Sequence, residues 1–352
     1  MKRIVLTGGG TAGHIYPALA IKERLEKEGS GKYEFFYIGS HGMEKEIVSR
    51  EKNIKFFCID TVKLQRKLTL KNLLIPFKLL SSVRSAKKIL KDINPSVVFS
   101  KGGFVALPVV IASKKLGLPV VSHESDLSMG LANKLILKKC NKMCVAFEKT
   151  SLISSKCIYT GQPIRQDVLK GNKNNIKSEY FVSGKKNLLV IGGSLGAGFL
   201  NKIVDENLES LTKNFNIFHI VGKNNTLPKA RQGYYPISYY TNIGDAYAWA
   251  DIVLSRAGSG VINELLTLNK PMLLVPLSKS CSRGDQIENA LLFEEKGYAL
   301  CMQEEEYDKQ KFIDNLNNLV KNDKIFVKNM KKSVKNDACG EIIKVLKSVS
   351  LD

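Results

Sequence analysis

The sequence predicts an α/β fold of two lobes, each built on a doubly wound parallel sheet. Short apolar runs rich in Val, Ile and Leu alternate with helical patterns, which is typical of parallel sheets. The alternation restarts after a polar stretch near residues 170–178, and 352 residues are enough for two domains. We place the boundary close to Gly161, giving domains 1–161 and 162–335. Ligands of such sheets bind at the carboxyl ends of the strands, so a cleft between the lobes is expected.

Each half contributes a series of predicted elements. In the first half these are strand 4–7, helix 17–28, strand 34–38, helix 44–50, strand 55–59, strand 96–100, helix 107–116 and strand 119–122. In the second half they are strand 187–191, helix 198–211, strand 217–221, helix 245–250, strand 252–255, helix 260–268, strand 272–276 and helix 286–296. The lysine-rich sequence after residue 320 has a helical pattern, but periodicity does not place it in the fold.

The formal net charge of +21 is concentrated in the first half. Residues 1–161 hold 28 Lys and Arg against 12 Asp and Glu, and segment 63–91 holds nine basic residues and no acid. Bulky apolar residues are interleaved there, as in a surface that lies on anionic lipid. The alternative is a solvated basic face whose leucines pack inward. No recognition motif for nucleic acid accompanies the charge, so no such partner is predicted.

Other sequence features bear on compartment and cofactors. The longest apolar stretch is shorter than the ~20 residues that a membrane helix needs, and the glycine-rich start predicts a buried strand rather than a signal peptide. The seven cysteines form no CxxC pair and predict reduced thiols. No Walker A or Asp-x-Asp sequence is present, so no metal site and no cofactor are predicted.

A glycine turn follows the first strand of each half, at residues 8–14 and 192–196. Such turns let the backbone approach a ligand and offer helix N–H groups to an anion. The first fits the dinucleotide motif GxGxxG, but the second strand ends at Ser40 without the acid that would hold a ribose. The second fits the hydrolase motif GxSxG, but the only later histidine, His219, lies in a predicted strand. Ser194 is therefore interpreted as a phosphate-binding hydroxyl.

Several segments together resemble the MurG family, bacterial transferases that add N-acetylglucosamine to lipid I to make lipid II. The resemblance extends from about residue 2 to 300. It is carried by GGGTAGHIYPA (8–18), HESD (123–126), GQPIR (161–165), GGSLGA (192–197), AYAWAD (246–251), RAGS (256–259) through Glu264, and RGDQIENA (283–290). It implies a GT-B fold of two Rossmann-like lobes, with the donor mainly on the second. A final helix, about 336–352, is expected to pack back on the first lobe.

The resemblance also implies a reaction and its partners. The donor would be UDP-N-acetylglucosamine, and transfer would invert the anomeric carbon to form a β-1,4 link to the muramyl 4-hydroxyl of lipid I, for peptidoglycan synthesis. Because lipid I carries an undecaprenyl chain, the enzyme is expected at the cytoplasmic face of the bacterial membrane. There the basic segment 63–91 would dock on anionic lipid.

Site residues follow from the resemblance position by position. Thr11, Ala12 and Gly13 would face the reacting sugars, and Arg165 and Ser194 would bind the donor. Uracil would meet the backbone of Ile243, the ribose hydroxyls would donate to Glu264, and Gln286 would hold hydroxyls of the transferred sugar. One residue departs from the pattern: better-studied members have His-Glu-Gln-Asn where this chain has His-Glu-Ser-Asp. Asp126 therefore replaces an amide, and a carboxylate accepts hydrogen bonds but cannot donate them.

Direct displacement requires a base for the acceptor proton and stabilisation of departing UDP. His14 is the candidate base, because it lies where the glycine turn meets a helix. Glu124 and Asp126 are rival bases, although Glu124 could instead brace its loop. Arg256 could reach a phosphate or form a structural ion pair.

Three other functions remain open at this point. A glycosyltransferase of the same fold could act on diacylglycerol. A UDP-N-acetylglucosamine 2-epimerase would share the lobes and the nucleotide without needing a lipid surface. A non-catalytic basic binding protein would leave both glycine turns unexplained.

Overall fold

The computed structural model describes residues 1–29, 31–61, 75–192, 197–333 and 337–351 of the chain. They form two compact units. The first comprises Met1–Arg165 with Asp337–Asp352, and the second comprises Gln166–Asn336. We call them lobe 1 and lobe 2, and each has its own parallel sheet.

Lobe 1 has seven strands: β1 (Lys2–Thr7), β2 (Tyr33–Gly39), β3 (Ile54–Cys58), β4 (Val97–Ser100), β5 (Val120–Glu124), β6 (Lys142–Val145) and β7 (Cys157–Tyr159). Their order is β3-β2-β1-β4-β5-β6-β7, and every pair is parallel. The order reverses between β1 and β4, and ligands of open α/β sheets bind at such a switch point. The turns after β1, β4 and β5 therefore have the best position for a site.

The described helices of lobe 1 are α1 (Ala12–Glu28), α2 (Met43–Val48), α3 (Ile75–Ile93), α4 (Gly103–Lys115), α5 (Leu131–Leu137) and α6 (Glu148–Ser151). Helix α15 (Ala338–Leu346), followed by a π-helical turn (Lys347–Leu351), returns to this lobe. Ile342, Ile343 and Leu346 are buried in the core that covers one face of the sheet, together with Ile15 of α1. The tail thus supplies apolar cover for the first sheet.

Lobe 2 has six parallel strands in the order β10-β9-β8-β11-β12-β13. They are β8 (Lys186–Ile191), β9 (Phe215–Ile220), β10 (Tyr234–Ile237), β11 (Ile252–Ser255), β12 (Met272–Leu274) and β13 (Ala299–Cys301). Its described helices are α7 (Gln166–Leu169), α8 (Gly198–Glu206), α9 (Leu208–Asn214), α10 (Ile243–Trp249), α11 (Ser259–Thr267), α12 (Asp285–Glu295), α13 (Lys309–Lys321) and α14 (Asp323–Ser333). The switch point lies between β8 and β11.

Most predicted helices differ from the observed ones by one or two residues at an end, and three differ by more. Helix α1 begins at Ala12 rather than at residue 17, with Pro17 inside it, and α4 likewise begins at Gly103 with Pro108 inside. Proline is favoured in the first turn of a helix, which makes it a misleading marker of the first residue. The helix predicted over 198–211 is two helices that meet at Asn207, whose side chain donates to the carbonyl of Ile203.

Candidate active site

The glycine turn after β1 places His14 in the first turn of α1. Its Nδ1 lies 2.9 Å from Oγ1 of Thr11, the residue that precedes the helix. A methyl group added at Gly103, at the start of α4, would lie 3.6 Å from His14 Nε2, so the imidazole ring lies close to the backbone of Gly103. When Nδ1–H donates to Thr11, Nε2 keeps its lone pair. His14 is half-buried, and Thr11 and Gly13 are exposed.

A buried carboxylate, Glu44 of α2, lies directly beneath this turn. It accepts hydrogen bonds from the N–H of Gly10 at 3.2 Å and of Ser40 at 2.9 Å, and it is fully buried. A methyl group at Gly9 would meet the carboxyl group of Glu44 at 2.5 Å, so a larger residue there would displace the carboxyl group from its hydrogen bonds. The amide of Gly10 is therefore already used, and a negative charge under the turn disfavours a phosphate at this place.

A second carboxylate, Glu124, holds the turn after β5. Its Oε1 accepts from the N–H of Ser125 at 2.7 Å and of Asp126 at 3.0 Å. Its Oε2 accepts from Asn133 Nδ2 at 2.8 Å and from the N–H of Gly130 at 3.3 Å. Burial raises the pKa of Glu124, with the charge of Asp126 adding to the effect, while the hydrogen bonds from the Asp126 N–H and Asn133 and the charge of Lys101 lower it. Because four donors of its own lobe surround it, the geometry supports the bracing role more than that of a base.

Asn133 connects Glu124 to the glycine turn after β4. Its Oδ1 accepts from the N–H of Gly103 at 3.3 Å while its Nδ2 donates to Glu124. Gly102 has a φ of +87°, and a Cβ there would lie 2.2 Å from Asn133 Oδ1. The Gly102-Gly103 pair is thus required both by its backbone conformation and by the amide packed against it.

Lys101, the first residue after β4, is a buried cation in the same region. It is 1% exposed, and its Nζ donates to Oγ of Ser125, which in turn donates to Gln162 Oε1 at 2.7 Å. Burial lowers the pKa of Lys101 to about 8, against the opposing charges of Glu124 and Asp126. The amine is therefore protonated at neutral pH.

Two further predicted residues of lobe 1 lie near these turns. His123 is fully buried, its Nε2 lies 2.9 Å from the carbonyl of Gly161, and burial lowers its pKa well below the usual value. It is neutral and donates to Gly161. The guanidinium of Arg165 lies 4.0 Å from the ring centroid of Tyr16, a cation–π contact with the start of α1.

Lobe 2 has a cavity of about 310 Å³ at the carboxyl ends of its central strands. It is lined by Gly192, Ala197, Gly198, Ser255, Arg256, Gly258, Val261, Leu277 and Gln286. Helices α8 and α11 both begin at this cavity, and neither has an acidic residue in its first turn. Two helix N-termini without a neutralising carboxylate favour an anionic ligand. Ser194 lies outside the described residues, between the lining residues Gly192 and Ala197.

Arg256 borders the cavity but has a structural partner. Its Nη2 forms an ion pair with Glu304 at 2.5 Å, and its Nη1 donates to the carbonyls of Val275 and Pro276. Of the two roles left open by the sequence, the ion pair is the one that the geometry supports. Gln286, in the first turn of α12, lines the same cavity and accepts from the N–H of Leu277 at 3.2 Å.

Ile243 and Glu264 are connected through a tyrosine. Ile243 is the first residue of α10, and Tyr247, one turn later, donates to Glu264 of α11 at 2.9 Å. Tyr247 is fully buried, which raises its pKa well above the usual value. The hydroxyl thus stays protonated and keeps the half-buried Glu264 carboxylate in a fixed position.

Comparison with known proteins identifies the family. The sequence profile of the glycosyltransferase family 28 N-terminal domain matches residues 4–145, and that of its C-terminal domain matches residues 187–345. The chain is 46% identical to a Clostridium botulinum protein called UDP-N-acetylglucosamine–N-acetylmuramyl-(pentapeptide) pyrophosphoryl-undecaprenol N-acetylglucosamine transferase, with 99% of each chain covered. A Lachnoclostridium phytofermentans protein of the same name is 44% identical over the full length of both chains. The chain belongs to the MurG family of glycosyltransferases.

Solved structures agree on the fold. The crystal structure of Acinetobacter baumannii MurG, 24% identical, superimposes with a TM-score of 0.76 over 99% of this chain and 100% of that one. The glycosyltransferase of kitacinnamycin reaches the same TM-score at 12% identity, covering 97% and 98%. The predicted two-lobed GT-B fold is confirmed, and so is the predicted membership of the MurG family.

Three supporting residues of this MurG family member were not among the predicted ones. Glu44 and Lys101 hold the turns of lobe 1, and Tyr247 holds Glu264 in lobe 2. Lys101 had a sequence signal, a lysine placed between a buried strand and two glycines. Tyr247 lies in the AYAWAD segment that carries the family resemblance, whereas Glu44 had no signal, because it lies in an ordinary helical pattern.

His219 is a core residue of lobe 2. It is 1% exposed on β9, with Nδ1 3.0 Å from the hydroxyl of Tyr234 and Nε2 3.0 Å from Asn201 Oδ1. Burial lowers its pKa to about 3, so the folded state holds the neutral ring. The Tyr234 hydroxyl therefore donates to Nδ1, and Nε2–H donates to Asn201.

This buried histidine predicts a pH dependence of stability. The unfolded chain, with a histidine pKa near 6.5, takes up the proton first as the pH falls, so stability is lost between about pH 6.5 and 3. We expect His219→Gln to be less stable than wild type at pH 7 by about 1–3 kcal/mol, with a smaller difference at pH 5. Urea unfolding at both pH values measures the difference in free energy of unfolding between variant and wild type. His41→Gln is the control, because His41 is exposed. A difference that does not change with pH would contradict the prediction.

Proposed function

We propose that this chain transfers N-acetylglucosamine from UDP-N-acetylglucosamine to the muramyl 4-hydroxyl of undecaprenyl-pyrophosphoryl-N-acetylmuramyl-pentapeptide. The observation that carries the proposal is the identity of 46% over 99% of both chains to a relative named for this transfer. The relatives' shared name favours it over transfer to diacylglycerol and over epimerisation.

The donor diphosphate belongs to lobe 2. Two helices begin at its cavity of about 310 Å³, and neither has an acidic residue in its first turn. In the sequence, Ser194 lies between two of the lining residues, Gly192 and Ala197. Gln286 at the cavity and Glu264 on α11 supply acceptors for sugar and ribose hydroxyls. Lobe 1 has buried carboxylates beneath its turns instead, so it suits the uncharged reacting groups of the acceptor.

In the proposed reaction, His14 takes the acceptor proton. The acceptor oxygen attacks the anomeric carbon, and the bond from that carbon to the β-phosphate oxygen breaks with both electrons leaving on UDP. The proton of the hydroxyl goes to Nε2 of His14, which has its lone pair when Nδ1–H donates to Thr11. In that tautomer Thr11 accepts from Nδ1–H and holds the ring, and Ala12 and Gly13 leave space at the exposed entrance to the helix.

Lobe 1 also carries the proposed membrane surface, which we define as the exposed residues of α3 and α5. Both helices pack on α4. Exposed apolar and basic residues occur together on them, with one exposed acid, Asp92; the apolar and basic ones are Phe77, Lys78, Leu80, Arg84, Lys88, Lys91, Leu131, Lys134 and Leu135. Residues 62–74 of the predicted basic segment 63–91 lie outside the described residues. Among the helices that the structure describes, none is long and apolar enough to cross a bilayer.

The proposal predicts a specific product. Wild-type protein incubated with UDP-N-acetylglucosamine and a short-chain lipid I analogue should release one UDP per disaccharide formed, measured by coupled UDP detection and mass spectrometry. A diacylglycerol acceptor serves as the comparison. UDP release without an acceptor, or transfer only to diacylglycerol, would overturn the proposal.

His14→Ala should reduce turnover far more than donor affinity. Loss of a general base lowers kcat by about 10²–10⁴, whereas UDP binding in lobe 2 should stay within twofold of wild type. Steady-state kinetics with the soluble acceptor and calorimetry with UDP measure the two effects, with His41→Ala as the control. Equal losses in both quantities would indicate that His14 acts in binding alone.

The membrane surface predicts a charge-dependent association with lipid. Replacing Lys78, Lys88 and Lys91 by Glu should weaken binding to anionic vesicles at least about tenfold, because each basic residue near such a surface contributes about 1 kcal/mol. Activity on the soluble acceptor should be unchanged. The matched control replaces Lys324, Lys328 and Lys331 of α14, which are also exposed. Equal vesicle flotation of the two variants would reject this surface.

A further inference from the structure

Lys101 is a charged residue that the proposed chemistry does not use. Its side chain is 1% exposed, too buried to contact a sugar, and it packs at the base of the first glycine turn: a methyl group at Gly8 would lie 3.0 Å from Lys101 Cβ. Any effect of Lys101 on catalysis must therefore pass through its neighbours. The hydrogen-bonded neighbour is Ser125, which also donates to Gln162.

The charges around Lys101 come from one segment. Glu124 and Asp126, at the end of β5 and in the turn that follows, both favour the protonated amine, and the adjacent His123 is neutral. The Asp126 carboxylate disfavours the ionisation of Glu124, because its charge raises the pKa of Glu124. A buried cation beside two carboxylates relieves that repulsion, whereas a buried cation alone would be strongly unfavourable.

Asp126 is the member of this group that can reach a ligand. It is half-buried, whereas Glu124 and Ser125 are buried. Its N–H donates to Glu124, which is fixed in turn by Asn133. Ser125, one residue before it, is held by Lys101 and Gln162. The backbone on the N-terminal side of Asp126 is thus immobilised by the buried charges of Glu124 and Lys101.

We propose that Lys101 is a positioning residue for the transfer reaction, which fixes the Ser125–Asp126 segment through its hydrogen bond to Ser125, so that the Asp126 carboxylate accepts a hydrogen bond from a sugar hydroxyl. The inference rests on the proposed function, because the hydroxyl belongs to a reacting sugar. A carboxylate at this place selects a hydroxyl that donates, where an amide could also donate to an acceptor oxygen.

A double-mutant cycle tests the connection. Asp126→Asn should lower kcat/KM for the soluble lipid I analogue at least tenfold in the wild-type background, but less than twofold in a Lys101→Met background, where Asp126 is no longer held. Lys114→Met, an exposed lysine of α4, is the matched control and should have no effect. UDP affinity should be unchanged in all variants, which shows that lobe 2 is folded. If the loss of kcat/KM in the double variant is the product of the losses in the two single variants, the two residues act independently and the inference is overturned.

The pH profile provides a second readout, which does not require Lys101→Met to fold. At alkaline pH, kcat/KM of the wild type should decrease with a midpoint near pH 8, because loss of the Lys101 proton removes the positive charge. Asp126→Asn should move that midpoint to lower pH, since the substitution removes one of the two carboxylates that stabilise the protonated amine. The same midpoint in wild type and in Asp126→Asn would overturn the inference. A wild type that transfers no sugar would overturn both the proposed function and the inference about Lys101. An active wild type in which the Lys101 and Asp126 substitutions have independent effects would overturn only the role of Lys101.

Discussion

The turns at the carboxyl ends of the first sheet depend on charged side chains buried directly beneath them. Glu44 accepts from the turn after β1, and Glu124 accepts from the turn after β5 and, through Asn133, holds the turn after β4. Backbone N–H groups in such turns have no strand partner, and an unpaired buried one is costly. The carboxylates satisfy them from below, which keeps the upper side of each turn open.

The backbone N–H groups at the strand ends of lobe 2 also need hydrogen-bond partners, but their surroundings differ from those in lobe 1. There α8 and α11 begin at or next to residues that line the cavity, and neither helix has an acidic residue in its first turn. Unsatisfied helix N–H groups are an anion site, whereas amides that already bind a carboxylate are not. The two lobes share a topology and a motif, yet buried carboxylates accept from the turn amides in lobe 1, whereas the first turns of α8 and α11 in lobe 2 hold no acidic residue. The buried partners of the backbone therefore decide which lobe suits a diphosphate.

Much of the fold followed from the sequence because buried parallel strands are continuous apolar runs that leave little ambiguity. The strand predicted over 252–255 has the observed bounds, and β1, β2, β4 and β8 differ by only one or two residues at an end. Short strands such as β7 and β13, three residues each, carry too little pattern to be found. The helix starts were wrong where proline lies inside the helix. The sequence placed His14, Gln286 and the glycine turns beside strand ends, but their supports come from elsewhere in the chain: Glu44 lies 34 residues from Gly10.

The dinucleotide motif at the start of the chain illustrates why a local pattern is insufficient. Residues 8–13 have the glycine spacing that lets a backbone approach a pyrophosphate, and α1 follows at once. What opposes a phosphate there is the Glu44 carboxylate under Gly9 and Gly10, contributed by a different helix. A carboxylate within hydrogen-bond distance of the turn repels an anion by more than a single helix N-terminus attracts it, since the dipole is equivalent to about half a charge. The glycines permit close approach, and the residue beneath them determines whether the approaching group is a phosphate or a sugar.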